Sequence, residues 1–458
     1  MRLTPQQASE LALDLSTSGQ AIAIATTSSS ANLRWANNTL TTNGVMESAA
    51  LTVIAFDGCR SASVSGPATT RDDVADLVAA ADAGVRRAEP AEDCQPLVPA
   101  RDEPGWSDPP GRTDIDVYAD FASSLGDAFD RAAAESRLLY GFVNHEVTTT
   151  YLASSTGLRL RHLQPTGHYA CTGKPADLSA SAWVGGATRD FVGVDARELD
   201  QQLQRRLTWA QRSITLPAGR YDTILPPSSV ADLMIDAYWG AGARVAADGQ
   251  SVYARPGGGT RIGEQIAAPG VHLVSDPGLP GLECADFAVA SSSSNESSVF
   301  DNGLPLAPTD WIRDGHLEAL IQTRHSAALT GLPTTPMIDN LCLEVDGGAG
   351  DEQSMVADLQ EGLLLTCLWY LREVDPQTML LTGLTRDGVY VVKRGEIVGA
   401  ANNFRFNESP IEILRRFSHA GATVPAFSRE WGDDYFSRTA MPALRIPDFN
   451  MSSVSQAR

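Results

Sequence analysis

The chain has 458 residues, 43% of them hydrophobic and 20% charged, a balance that fits a folded protein and excludes a disordered one. Its 56 Asp and Glu against 35 Lys and Arg give a formal charge of −21, which repels phosphate backbones and excludes nucleic-acid binding without a local basic patch. No run of roughly eighteen apolar residues is present to span a bilayer, and the length exceeds one hydrophobic core, so two domains are expected.

Met1–Gln20 reads as an amphipathic helix, with Thr4 as N-cap, Pro5 at the first helical position and Gln7 closing a capping box. It lacks the basic, apolar, small-residue order of a signal peptide, so a cytosolic location is expected. Ala21–Thr26 and the segment around Leu33-Arg34-Trp35 are strands, Thr42-Asn43-Gly44 a turn, and Ala49–Phe56 a further strand. Asp57-Gly58 marks a hairpin that returns through Cys59–Val64. Asp72–Arg87 is an amphipathic helix, residues 89–112 a Pro- and acid-rich loop, and Asp114–Tyr140 a helix. Phe142–Arg161 forms a hairpin around Ser154-Ser155-Thr156-Gly157, with Arg159 and Arg161 on its solvated face. Asp195–Gln211 is a helix with Leu199, Leu203 and Leu207 in register. Pro217-Ala218-Gly219 then sets a boundary between domains 1–216 and 217–458.

Beyond it, Tyr221–Leu225 is a strand, and Pro226-Pro227-Ser228-Ser229 leads into a helix through Trp239, with Ser229 as cap and Asp232 near N3. Gly- and Pro-punctuated strands run to about Gln322, interrupted by the Ser-rich loop Ser291–Ser298. Ser354–Leu364 is a helix, Thr366–Arg372 a strand, Thr385–Arg394 a hairpin around Asp387-Gly388, and Ser409–Ala420 the last helix. The order does not alternate βαβα. It predicts an α+β fold, with an N-terminal α/β domain built on an antiparallel sheet and a β-rich, barrel-like C-terminal domain with few helices.

Chemical signatures are sparse. His145-Glu146 suggests a zinc helix, but Thr149 and Thr150 stand where a second His is needed, and the β-branched surroundings predict a strand that points neighbours apart. Gly257-Gly258-Gly259-Thr260-Arg261-Ile262-Gly263 fits no phosphate-loop pattern and reads as a turn. Glu344, Asp346, Asp351 and Glu352 around Gly347-Gly348 fail calcium-loop spacing and read as a solvated acidic turn. Ser326 beside His325 is no triad, and the seven histidines, His145, His162, His168, His272, His316, His325 and His419, are dispersed. The six cysteines, Cys59, Cys94, Cys171, Cys284, Cys342 and Cys367, form no CxxC pair and read as free thiols. No catalytic, cofactor-binding or metal-ligating residue is assigned.

A run of short motifs in fixed order nevertheless resembles the TldD/PmbA (modulator of gyrase) family. Trp35-Ala36-Asn37-Asn38, Leu51–Phe56 with Asp57-Gly58, and Ala153-Ser154-Ser155-Thr156-Gly157 carry it in the first half. In the second half the resemblance lies in Phe300-Asp301-Asn302-Gly303, Trp311–Leu317, Gln322–Ala327, Asn340–Glu344, Gly388–Glu396 and Asn402–Phe406. It implies a heterodimeric zinc peptidase acting on unfolded peptides, in which a TldD-type subunit holds zinc through an HExxxH helix and a Cys near its C-terminus. The corresponding helix here, Val230–Trp239, contains no His, and no Cys follows Cys367. The resemblance is therefore closest to the metal-free TldE/PmbA subunit: no cofactor in this chain, zinc in a TldD-type partner, and a possible homodimer when alone. The competing expectations are a self-sufficient metallopeptidase or other hydrolase built on the scattered histidines, and a stand-alone adaptor for a protein target such as a gyrase-linked toxin or antitoxin factor.

Overall fold

The computed structural model describes residues 3–432 and 438–455. Residues 1 and 2 of the expected first helix lie outside this range. The N-terminal half is a six-stranded antiparallel sheet of β1 (Gln20–Ala36), β2 (Thr39–Asp57), β3 (Arg60–Gly66), β4 (Arg137–Ser154), β5 (Arg159–Pro175) and β6 (Ala182–Thr188), in the order β3-β2-β1-β4-β5-β6. Four helices, α1 (Pro5–Leu15), α2 (Arg71–Val85), α3 (Ala119–Ala134) and α4 (Ala196–Ala210), pack on one face. The pleat explains why. Odd positions of β1 carry Ala23, Ala25, Ala31, Leu33 and Trp35, all buried under these helices.

The even face of the same strands changes character along its length. Ile22, Ile24, Ile54, Phe56, Leu152 and Leu160 form an apolar end that packs against Phe287, Val299 and Phe300 from the C-terminal half. The rings of Phe56 and Phe300 lie 5.1 Å apart. The other end of that face is polar and frames the cleft described below.

The C-terminal half holds three more sheets. A six-stranded sheet centres on Val271–Ser275 and Leu341–Val345, a seven-stranded sheet on Gly219–Leu225 and Glu361–Leu365, and a four-stranded sheet on Leu380–Thr385. Among the described residues none of the four sheets closes on itself, so the barrel-like expectation reduces to stacked open sheets around one large core. Helix α5 (Pro227–Trp239) runs through that core, with α6 (Ala243–Ala247), α7 (Arg324–Thr330), α8 (Glu352–Asp358) and α9 (Pro410–Arg416) at its margins. The α+β class holds.

Several local expectations shift. The first turn is at Asn37-Asn38, with φ of 52° and 59°, and Thr42-Asn43-Gly44 lies inside β2. Two successive left-handed residues make the tight turn that suits strand twist, and Asn tolerates them. The helix expected to reach Tyr140 stops at Ala134, because Arg137-Leu138-Leu139-Tyr140 joins β4 and pairs with Thr172–Pro175. The Asp387-Gly388 hairpin does not form. Leu380–Thr385 belongs to the four-stranded sheet and Val389–Lys393 to the seven-stranded one, so the chain changes sheets there. A Cβ at Gly388 would lie 2.0 Å from Thr366 Oγ1, which leaves only glycine room for that crossing. Ser229 does not cap α5. Pro226 is the N-cap and Pro227 starts the helix, so Ser229 lies inside it and its hydroxyl donates to the Leu365 carbonyl.

The free-thiol reading holds for Cys171, Cys284, Cys342 and Cys367, all buried, but not for Cys59 and Cys94, which are joined as a disulfide. The fold brings them together: the Ala91 amide donates to the Cys59 carbonyl and Arg60 bridges Pro90. That folds the start of the 89–112 segment back on the β2–β3 turn.

Candidate functional site

The polar end of the N-terminal sheet supplies a row of side chains from two strands. β4 presents Asn144, Glu146, Thr148 and Thr150; β5 presents His168, Thr166, Gln164 and His162 opposite them. They line a cavity of about 460 Å³, closed from the other side by Ala285, Phe287, Val289, Asp339 and Arg438 of the C-terminal half. Glu146 accepts from Ser28 Oγ at 2.8 Å and from Thr148 Oγ1 at 2.7 Å. His162 faces Gln164 Oε1 at 3.0 Å, and burial lowers its pKa, so it is neutral near pH 7. The His168 ring stacks on Phe427 at 5.6 Å.

A second cavity of about 420 Å³ shares Ala285, Phe287, Val289 and Asp339 with the first, and Trp239, Met337, Glu296 and Ser298 form its far wall. The two flank the extended segment 285–290. The Ser-rich loop forms part of this wall. Ser293 Oγ and Ser298 Oγ both donate to Asp93, the neighbour of disulfide-bonded Cys94. A polar sheet face opposite segment 285–290 leaves an elongated cleft lined by side-chain donors and acceptors.

Trp239 connects this cleft to α5, the helix singled out in the sequence for its missing histidines. Asp232 on α5 is fully buried. It accepts from Ser428 Oγ at 2.5 Å and from the Glu430 amide at 3.0 Å, while Trp431 Nε1 donates to the Asp232 carbonyl at 3.1 Å. Trp431 meets the Trp239 ring edge-on at 5.1 Å. Residues 428–431 thus form a strap seated on α5. Burial, with the Glu430 charge added, pushes the Asp232 carboxyl up to about 7, against the pull of those hydrogen bonds. One turn further, Asp236 is also pushed up to about 7, by burial first and by Glu373 and Glu430 next. Its Oδ2 is buried without a hydrogen-bond partner.

Behind the strap, Arg429 lies between the rings of Trp183 and Trp369, 5.0 Å from each, and pairs with Asp387 at 2.9 Å. Ser181 of the N-terminal half donates to Asp387 as well, so this cluster ties the halves together. Cys367 is buried against Arg429, and burial pushes its thiol up to about 12.

These donors do not fit a zinc site. Zinc prefers imidazole and thiolate, whereas α5 offers two carboxyls that burial holds toward neutrality, one engaged by the strap. Among the described residues, no group of three or more His, Cys, Asp or Glu is placed to hold a metal ion.

The other sequence candidates separate in space. His145 lies on β4 with Thr113 Oγ1 at 2.7 Å from Nδ1 and the Arg189 carbonyl at 2.6 Å from Nε2, on the helix-covered face, while Glu146 faces the cleft. The glycines of 257–263 sit at positive φ in a turn. Asp351 caps α8, and Asp346 lies 3.4 Å from His272. Arg159 is not solvated but makes two bonds to Glu10 of α1. His325 lies beside Arg244, and Ser326 hydrogen-bonds within its own helix turn. What the sequence reading passed over was the polar row itself, although the period-two patterns Asn144-x-Glu146-x-Thr148-x-Thr150 and His162-x-Gln164-x-Thr166-x-His168 carry it. The strap and the Arg429 cluster have no local signal.

The described residues include no helix long and apolar enough to cross a membrane. Comparison with curated proteins gives no sequence match. Solved structures with a similar fold include TldE from Thermococcus kodakarensis, at TM-score 0.75 and 13% identity over 96% of this chain and 98% of that one. A putative modulator of a DNA gyrase from Thermotoga maritima MSB8 matches at 0.74 and 14%, covering 94% and 96%. A putative modulator of DNA gyrase from Bacteroides thetaiotaomicron matches at 0.74 and 15%, covering 98% of each chain. The family model described as the PmbA/TldA metallopeptidase C-terminal domain matches residues 218–453, just over half of the chain. The chain therefore belongs to the PmbA/TldD family.

Proposed function

We propose that this chain is the non-catalytic subunit of a two-chain zinc peptidase that acts on unfolded peptides. The zinc belongs to a TldD-type partner, and the protein works in the cytoplasm. In this reading the cleft between β4, β5 and segment 285–290 holds substrate in extended form through the polar side chains that β4 and β5 present, and the partner performs hydrolysis. The boundary at 216/217 separates the sheet that offers the polar row from the half that closes over it.

The observation that carries the reading is α5. Its inward face has no imidazole, and its buried Asp232 is held by the protein's own strap rather than left open to a metal. Such a helix keeps the scaffold for shape and for a partner.

The test is native mass spectrometry with metal analysis on the chain alone and on the chain co-expressed with an HExxxH-bearing paralogue from the same host. The expected result is a complex with equal numbers of the two chains and zinc equal to the paralogue count, with no zinc in the chain alone. Stoichiometric zinc in the isolated chain, or no complex, overturns the reading.

A further inference from the structure

Helix α4 uses two stripes differently. Leu199, Leu203 and Leu207 are buried in the core beneath it, while Gln202, Arg205, Arg206 and Trp209 recur at i, i+3, i+4 and i+7 on another side. That second stripe lines a cavity of about 510 Å³ between the halves, a size that suits a small ligand. The rest of the lining comes from the C-terminal half. Asp351, Glu352 and Gln353 at the start of α8 supply its polar part, and Val356, Leu364 and Ile397 its apolar part. None of these residues lines the cleft described above.

The two halves bring opposite charges to this cavity, and the charges do not meet. Among the described residues Arg205, Arg206, Asp351 and Glu352 form no ion pair, whereas Arg197 on the same helix pairs with Asp127. Cations are the scarce charge in a chain with 56 Asp and Glu against 35 Lys and Arg, so two adjacent ones without carboxylates are unusual. Arg206 is held by donation to the Trp183 carbonyl, a neutral group. Asp351 accepts from the Ser354 amide at 2.9 Å as the cap of α8. Gln202 and Gln353, one from each half, make no side-chain hydrogen bond among the described residues. The Trp209 indole meets the Tyr390 ring edge-on at 5.1 Å, and Tyr390 is buried, so the indole is fixed in advance.

A guanidinium takes a carboxylate through parallel N–H bonds, and a carboxylate takes an ammonium. A ligand that satisfies both is a zwitterion, whereas a phosphate or a nucleotide would confront Asp351 and Glu352. In a free amino acid the two charges share one carbon, but a peptide sets its ends apart by up to about 3.5 Å per residue. We propose that this cavity binds a short peptide with free amino and carboxyl ends and an apolar side chain. Its carboxylate meets Arg205 and Arg206, its ammonium meets Asp351 and Glu352, and its side chain lies against Trp209, Leu364 and Ile397. Bound there, it bridges the two halves. The site is separate from the cleft, and the inference does not rest on the peptidase-subunit reading.

The test is isothermal titration calorimetry of the full chain with L-leucyl-L-leucine, its N-acetyl form, its C-terminal amide, and leucine. The free dipeptide is expected to bind, and capping either end weakens it about tenfold, the size of one charge-assisted hydrogen bond. Arg205→Gln weakens the free dipeptide about tenfold but leaves the amide unchanged, since the amide has no carboxylate to lose. Glu352→Gln likewise weakens the free dipeptide but not the acetylated one. Neither side chain has a partner to strand, and the melting temperature verifies that both variants are folded. Glu146→Gln, in the cleft, leaves the dipeptide affinity unchanged. The proposal is overturned if millimolar dipeptide does not bind, if leucine binds as tightly, or if the capped forms match the free one. It is equally overturned if Arg205→Gln affects amide and free dipeptide alike, or if Glu146→Gln abolishes binding.

Discussion

Asp236 places a carboxyl where one oxygen finds no partner. Its pKa of about 7 lies above the ordinary 3.8, with burial as the largest cause. Between those values the folded chain keeps a proton that the unfolded chain has released, so stability falls as pH rises from about 4 to about 7 and is level beyond. Asp236→Asn removes this term. The variant should match wild type at pH 4 and be more stable at pH 8 by about 1–2 kcal/mol, less than the full shift implies because part of the residue reaches solvent although its Oδ2 is buried. Melting temperatures at the two pH values check it, and equal wild-type and variant slopes would refute it. Arg429 is the opposite case, a buried charge whose partners are all in place. Arg429→Ala removes the closest cation from Asp387, leaving it the Ser181 hydroxyl and the more distant Arg386, and empties the space between two Trp rings, which should cost about 3 kcal/mol. Arg189→Ala, which breaks the exposed pair with Glu283, should change stability by less than about 1 kcal/mol. Urea unfolding of both variants distinguishes the buried pair from the surface one.

At the scale of elements, the β2–β3 hairpin is held by more than its ladder. The Cys59–Cys94 bridge closes a loop with a sequence separation of 35 and holds Asp93 against Ser293 and Ser298 at the cleft wall. By chain entropy, Cys59→Ser with Cys94→Ser should cost about 4 kcal/mol. Thiol titration of the unfolded, unreduced protein should find four free thiols, not six, which gauges whether the bridge forms in the expression compartment. The β1–β2 turn makes a second case. Asn38 has φ of 59°, where Gly fits without strain, but its side chain donates to the Arg137 carbonyl and accepts from the Leu139 amide. Asn38→Gly should therefore destabilise by about 1–2 kcal/mol despite the favourable backbone. A neutral or stabilising result in chemical denaturation would show that the turn, not the side chain, decides.

For the whole molecule, the halves share a core rather than touching at a rim. Phe300 is 1% exposed and packs in one cluster with Ile22, Ile54, Phe56 and Leu152. Arg324 adds bonds to Asp301 and to the Pro96 carbonyl. Calorimetry should show a single main transition, and Phe300→Ala should lower stability by about 3–5 kcal/mol through the cavity it leaves. Two resolved transitions in the wild type would show that the halves unfold independently.

The sequence alone determined what depends on neighbours along the chain. Capping residues, apolar spacing and alternation located α1, α2, α4 and the β4–β5 hairpin, because those signals are local. The ordered motifs pointed to the family, and the composition of Val230–Trp239 to its lack of imidazole. Tertiary structure decided the rest. Residues far apart in sequence had to meet before Asp232 could find Ser428, Arg429 could settle between Trp183 and Trp369, or Cys94 could reach Cys59. It also decided which face of β4 is buried under helices and which is polar. Period two shows that the faces differ, but not which one the C-terminal half will cover.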